Sequence, residues 1–193
     1  MSSAAKAKIT VQEYLAMERV SEIKHEFYDG DIFDMTGGTP AHSLIASNII
    51  REAGNALKSR PCVVFNSDLR VKVNPSGLYT YPDVTIVCGQ QQFDDDQRDT
   101  LVNPTVIVEV LSKSTAIYDR GAKSKQFRKI ESLQALILVE QDSPVVEVYR
   151  RQPEGNWLLT EATDLSESIA IQPLGISIPL SEIYRNVTFP ESI

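Results

Sequence analysis

Residues 81–88 read YPDVTIVC and residues 104–115 read PTVIVEVLSKST. Each is a β-branched run that carries one carboxylate, Asp83 at the head of the first and Glu109 deep in the second. Runs of this composition favour strands. Pro82 has no N–H to give to a ladder, so it belongs at a strand's start. Asp83 therefore falls at a strand end on the sheet rim, where water and metal can reach. Period-two geometry puts Asp83, Thr85 and Val87 on one face and Val84, Ile86 and Cys88 on the other. In the second run Thr105, Ile107, Glu109 and Leu111 share a face, opposite Val106, Val108 and Val110. A run this continuously apolar reads as a central strand covered on both sides. A carboxylate buried there is costly unless it is paired or holds a metal.

The next segment reads as a helix from about residue 118 to 131. Lys123, Phe127 and Ile130 recur at i, i+4 and i+7 and so form one stripe. Phe127 and Ile130 belong to the core, which aims Lys123 at the sheet; Lys125 lies roughly opposite and is solvated. Two inward acids followed by an inward lysine suggest a metal-dependent site acting on phosphate esters. Each residue also has a plainer reading. Asp83 alone is a solvated acid at a strand terminus, and Glu109 with Lys123 is a structural ion pair. Spacing does not separate the two, because a catalytic trio contains that same pair.

Outward from this centre the chain alternates helix and strand signals. Thr10-Val11-Gln12-Glu13 is a capping box that opens a short helix to about Arg19. KHEFYDGDIFDM forms two alternating halves around Asp29-Gly30, a hairpin signal. Glu26 in its first half alternates with Tyr28, and taken alone it reads as an exposed strand residue. After the Gly37-Gly38-Thr39-Pro40 break, a helix is expected from about Ala41 to Leu57, with Leu44, Ile45, Ile49 and Ile50 on its apolar side. His42, at its start, reads as a capping or surface residue. PCVVFNSDLRVKV gives a strand, a turn at Asn66-Ser67 with Asp68 as turn former, and a second strand. ALILVEQ and VVEVYRR flank Asp142-Ser143-Pro144 as a hairpin. NWLLTEAT and SIAIQP add strands, and residues 179–184 a helical turn. The order is mixed α+β or α/β, in one domain spanning 1–193.

Composition bounds the class. The chain is 42% hydrophobic and 23% charged, which excludes disordered and fibrous classes. Its apolar runs are too short to span a bilayer, so no membrane is expected, and MSSAAKAK lacks a signal-peptide core. Cys62 and Cys88 lie in apolar strands without close-spaced partners and read as reduced, buried thiols, which points to the cytoplasm. A net charge of −7 weighs against nucleic acid as partner. Base nevertheless clusters from Lys113 to Lys129, with Arg120, Lys125 and Arg128 between them, leaving room for a local basic face.

The ordered segments HEFYDGDIFDM, the Pro-Ala-His-Ser of 40–43, SDLRVKV, YPDVTIVC, VIVEVLSKST, YDRGAKSKQFRKI and VEVYRR resemble the Uma-type putative restriction endonuclease family of the PD-(D/E)xK nuclease superfamily. The resemblance implies a restriction-endonuclease-like core, a central mixed β-sheet flanked by helices. It implies Mg²⁺ (or Mn²⁺) bound by Asp83 and Glu109, with Glu26 completing the acidic site, and hydrolysis of phosphodiester bonds in nucleic acid, DNA first. Related nucleases often dimerise, so a homodimer is plausible. The superfamily's usual lysine stands two places after the glutamate, where this chain has Leu111; the family's pattern moves it to the following helix, at Lys123. Lys113 is the second candidate.

Two rival readings remain. One is a catalytically weak or inactive nuclease scaffold that binds nucleic acid or a protein. The other is a Ser–Lys hydrolase on Ser112, Lys113 and Ser114, which lacks a Gly-x-Ser-x-Gly elbow and reads better as loop and helix entry. Trp157 reads as core or interface packing rather than a base-stacking platform.

Overall fold

The computed structural model describes residues 8–190 apart from Thr36 and Pro75. Most of MSSAAKAK thus lies outside the described residues. In chain order the elements are α1 (Val11–Glu18), β1 (His25–Tyr28), β2 (Asp31–Asp34), α2 (Pro40–Leu57), β3 (Cys62–Asn66), β4 (Arg70–Val73), β5 (Leu78–Thr80), β6 (Val84–Cys88), β7 (Thr100–Leu101) and β8 (Val106–Leu111). There follow α3 (Ala116–Tyr118), a π-helical turn (Asp119–Lys123), α4 (Ser124–Phe127), β9 (Ala135–Glu140), β10 (Val146–Arg151), β11 (Trp157–Ala162), β12 (Ser168–Ile171), β13 (Ile176–Pro179) and α5 (Leu180–Ile183).

A six-stranded sheet, ordered β11-β10-β9-β8-β6-β3, forms the centre. Its ladders are antiparallel except for β8 with β9, which run parallel because the helical segment 116–127 carries the chain back across the sheet. β8 is buried along its whole length, the consequence of its unbroken β-branched composition. The faces divide as the period-two reading requires. Val84, Ile86, Val106, Val108 and Val110 pack with Ile45, Ile49, Ala53 and Leu57 of α2, a stripe repeating every four residues. Val87, Ile107 and Leu111 pack on the other face with Phe127, Ile130 and Leu133 and with Val71, Val73 and Leu78 of a five-stranded sheet, β2-β1-β5-β4-β7. The β12–β13 hairpin and α5 close the α2 side through Ile169, Ile178, Leu180 and Ile183.

Local signals worked where the chemistry is local. Thr10 and Glu13 form the reciprocal cap of α1. Asp29 (φ 49°) and Gly30 (φ 83°) make the β1–β2 turn, both in the left-handed region that such a two-residue loop needs. Of the four apolar positions expected on α2, Ile45 and Ile49 are buried, whereas Leu44 and Ile50 are half-buried flanks.

Two expectations need correction. The continuous helix over 118–131 is instead broken by the π turn and ends at Phe127. Ser124 causes the break: its amide and hydroxyl both donate to the Asp119 carbonyl five residues back. Cys62 and Cys88 are not reduced thiols but a disulfide. They face each other in the β3–β6 register, a proximity invisible in a pair 26 residues apart in sequence. That support for a cytoplasmic location falls away.

Candidate active site

Asp83 stands just before β6, and its two oxygens are held from two sides. Oδ2 accepts from the Val110 N–H of β8 at 2.7 Å, and Oδ1 meets His42 Nε2 of α2 at 2.8 Å. Glu109 points from β8 into the same space and is 5% exposed. Lys123, also 5% exposed, comes in from the π turn. Its ammonium lies 2.8 Å from Glu26 Oε1, 3.0 Å from Glu109 Oε1 and 3.7 Å from Asp119 Oδ1. Glu109 Oε1 is thus buried against the Lys123 ammonium. These side chains line a cavity of about 720 Å³ that also takes in Thr39, Ser112 and Tyr118.

Asp83, Glu109, Lys123 and Glu26 are therefore brought together. Glu26 is not the exposed strand residue that alternation alone suggests; it is 7% exposed. The Thr80 hydroxyl donates to its Oε1 and the Tyr118 hydroxyl, at 3.2 Å, to its Oε2. β1 is an inner strand of the five-stranded sheet, and 118–123 lies over it, which no local pattern announces. Lys113 stays on the surface, 83% exposed in its side chain and 3.8 Å from Asp142. Ser112 and Ser114 share a hydroxyl contact with each other at the entry to α3, as a loop reading requires. Asp68 is an exposed turn residue paired with Lys24. Trp157 packs beneath the Arg151 guanidinium and against the lower core.

Two members of the site escape a reading of the sequence. His42 is not a surface cap but a half-buried partner of Asp83, 41 residues away in sequence. Asp119, 5% exposed, looks in the sequence like a lone acid in a basic run. Its signal is nevertheless present: it precedes Lys123 by four residues, the spacing that puts two side chains on one helical face. Much of the expected basic face is neutralised internally. Lys123 is inside, and Arg120 bridges Glu140 and Glu147 at 2.6 and 2.8 Å.

Three carboxylates thus pair with one ammonium, and a fourth, Asp83, lines the same cavity. Burial pushes the Glu109 carboxyl well above the usual carboxylate range; Lys123 opposes this, and the charges of Asp83 and Asp119 add to it. Asp119 is raised, chiefly by burial, and again Lys123 opposes. For Lys123 burial pulls downward, but Glu109, Glu26 and Asp119 outweigh it and hold the ammonium well above its ordinary value. The bond to Asp83 raises His42. Among the described residues, no group of three or more His, Cys, Asp or Glu is gathered closely enough to hold a metal ion on protein ligands alone. The arrangement suits an ion that is content with one or two carboxylates and fills its remaining positions with water and phosphate, as Mg²⁺ does. The excess of negative charge around Glu109 is the feature such an ion would relieve.

A mixed sheet flanked by helices, with the cavity opening beside its central strands, is the restriction-endonuclease-like fold. The family described as "Putative restriction endonuclease" (Uma2) matches residues 11–181, and the chain belongs to it. Two relatives from Synechocystis sp. are similar along most of their length. The "Uncharacterized protein slr1290" is 33% identical over 187 residues, 97% of each chain. The "Uncharacterized protein sll1609" is 35% identical over 153 residues, 79% of this chain and 86% of that one. The crystal structure of a putative nuclease belonging to DUF820 from Anabaena variabilis superposes with a TM-score of 0.74 at 18% identity, covering 91% of this chain and 97% of that one. That likeness carries the fold. No described helix is long and apolar enough to cross a membrane.

Proposed function

We propose that the protein is a Mg²⁺-dependent endonuclease that hydrolyses phosphodiester bonds in nucleic acid, with DNA the first substrate to test. The observation that carries this reading is the meeting of Asp83, Glu109 and Lys123 on the wall of one cavity. Asp83 and Glu109 are the residues to hold the ion. The oxygens of Glu26 are engaged by Thr80, Tyr118 and Lys123, so in this reading it positions the ammonium at the edge of the acidic site. A bound Mg²⁺ or Mn²⁺ would polarise the phosphate and lower the pKa of an attacking water. Lys123 stabilises the negative charge that builds on the phosphate oxygens as the water's oxygen bonds to phosphorus and the ester oxygen leaves. Its ammonium is suited to the task because three neighbouring carboxylates keep it protonated.

The test is a plasmid-nicking assay with and without Mg²⁺ on wild-type, Asp83→Ala and Glu109→Ala proteins of verified fold. Cleavage by the wild type and none by the variants is the expected result; full activity in either variant overturns the assignment. A second reading has a specific observation in its favour. The protein carries a net charge of −7, and Arg19, Lys24, Lys72 and Arg120 are each paired to acids of the same chain. A scaffold that binds a nucleic acid or protein without cutting would show metal binding by calorimetry and no turnover on any nucleic acid. Sedimentation of the same preparation decides whether it is a homodimer.

A further inference from the structure

His42 is the element of the site for which neither the strands nor the lysine helix gives a reason. It opens α2, an 18-residue helix whose far turns are locked in the core. The residue is held at three points, one on its backbone and two on its ring. Thr39 caps the helix by accepting from the His42 N–H at 3.1 Å, and the same hydroxyl donates to Oε1 of buried Gln141 at 2.8 Å. Gly38 lies against the ring so closely that a Cβ there would stand 2.9 Å from both Cγ and Cδ2. The third contact is Nε2 on Asp83 Oδ1 at 2.8 Å.

A histidine that only closed a helix end would need none of this. Capping is done by Thr39, and solvent would serve the ring. The geometry instead serves Asp83. A carboxylate oxygen has two lone pairs. Val110 N–H takes one on Oδ2, His42 takes one on Oδ1, and each oxygen keeps one for a cation. Without His42, Asp83 would be held at one oxygen only and would turn away from the negative charges of Glu109 and Asp119. An ion bound by one or two carboxylates depends on their being aimed beforehand, because no further protein ligand corrects an error.

We infer that His42 is a positioning residue that aims Asp83 at the cation shared with Glu109, with Thr39 fixing its backbone and Gly38 packed against its ring. The inference rests on the metal-site reading above. The test is calorimetric titration of Mg²⁺ into the full-length wild type, His42→Ala, His42→Gln and Gly38→Ala, with the imidazole nitrogens followed by NMR. The chain has only two histidines, so the His42 signals are readily told from those of His25. We expect His42→Ala to weaken Mg²⁺ binding by about 10–100-fold, and His42→Gln, whose terminal amide keeps a donor at similar reach, to stay within about threefold of wild type. Gly38→Ala should shift affinity toward the His42→Ala value. Mg²⁺ should move the His42 nitrogen resonances in the wild type and leave them still in Asp83→Asn. Equal Mg²⁺ affinity in wild type and His42→Ala, or a glutamine variant as weak as the alanine one, overturns the inference and leaves the metal site standing. No Mg²⁺ binding by the wild type overturns both. Should His42→Ala fail to fold, the affinity of Gly38→Ala and the wild-type resonances decide between these outcomes.

Discussion

Two buried polar clusters sit within this small molecule, and they are built to opposite ends. Around Arg70, Glu18 meets the His25 amide at 2.9 Å, His25 Nδ1 at 2.7 Å and the Tyr81 hydroxyl at 2.8 Å. Arg70 donates to Tyr81 and Thr100 and lies 3.0 Å from Asp99, which Arg19 also grips. Acids there alternate with bases, and the cluster joins α1 to the five-stranded sheet. Around Lys123, three carboxylates share one ammonium and, with Asp83, face a cavity. A closed network of matched charges specifies structure. An over-acidic one costs stability and is retained where something else is to be bound.

The widest separation of the two clusters should come from activity. Glu109→Ala is expected to reduce Mg²⁺-dependent nicking to background, and Arg70→Met to leave the folded fraction's Mg²⁺ affinity unchanged. Stability reverses the order. Arg70→Met leaves the Tyr81 and Thr100 hydroxyls without their buried donor and Asp99 with Arg19 alone, and should cost about 1–3 kcal/mol in urea unfolding, whereas Glu109→Gln removes an acid from an over-acidic site and should stabilise the metal-free protein. An equal loss in both would erase the distinction. Next, Mg²⁺ at 100 times its Kd should raise wild-type unfolding free energy by about 2.7 kcal/mol, with no such gain in Glu109→Gln.

The pH dependence should carry opposite signs. Asp99 is held down to about 2, first by its bond to Arg19. Its contribution is present above the ordinary carboxylate value and lost as pH falls through that value toward about 2. Glu109 is pushed up by burial, so its folded form binds a proton where the unfolded form has released it. The metal-free protein is then stabilised as pH drops below the raised value of Glu109, down to the ordinary carboxylate range. Melting curves of Asp99→Asn and Glu109→Gln against pH should each flatten their own window. Smallest, and outside both clusters, Thr10→Ala should cost about 1 kcal/mol through the lost cap of α1.

Much of the site was legible because its parts are set by short-range geometry. Alternation along a strand has only two faces to choose from, and it set Asp83 and Glu109 on the face opposite Val84 and Val108. The Phe127–Ile130 stripe aimed Lys123 inward and Lys125 outward, and both are so placed. The same reasoning failed for Glu26, because alternation tells which face a residue takes and not whether another sheet or helix covers that face. It failed for the helix over 118–131, since Ser124 competes for a backbone carbonyl by a bond that helical periodicity does not encode.

What the amino-acid order determined alone is the set of elements, the side each residue presents, and the need for two acids in apolar strands to find compensation. The tertiary structure decided who compensates. It brought His42 to Asp83, Glu26 and Asp119 to Lys123, and Cys62 to Cys88. Those meetings depend on the order and register in which distant strands and helices pack, and side-chain periodicity within any one element is blind to that.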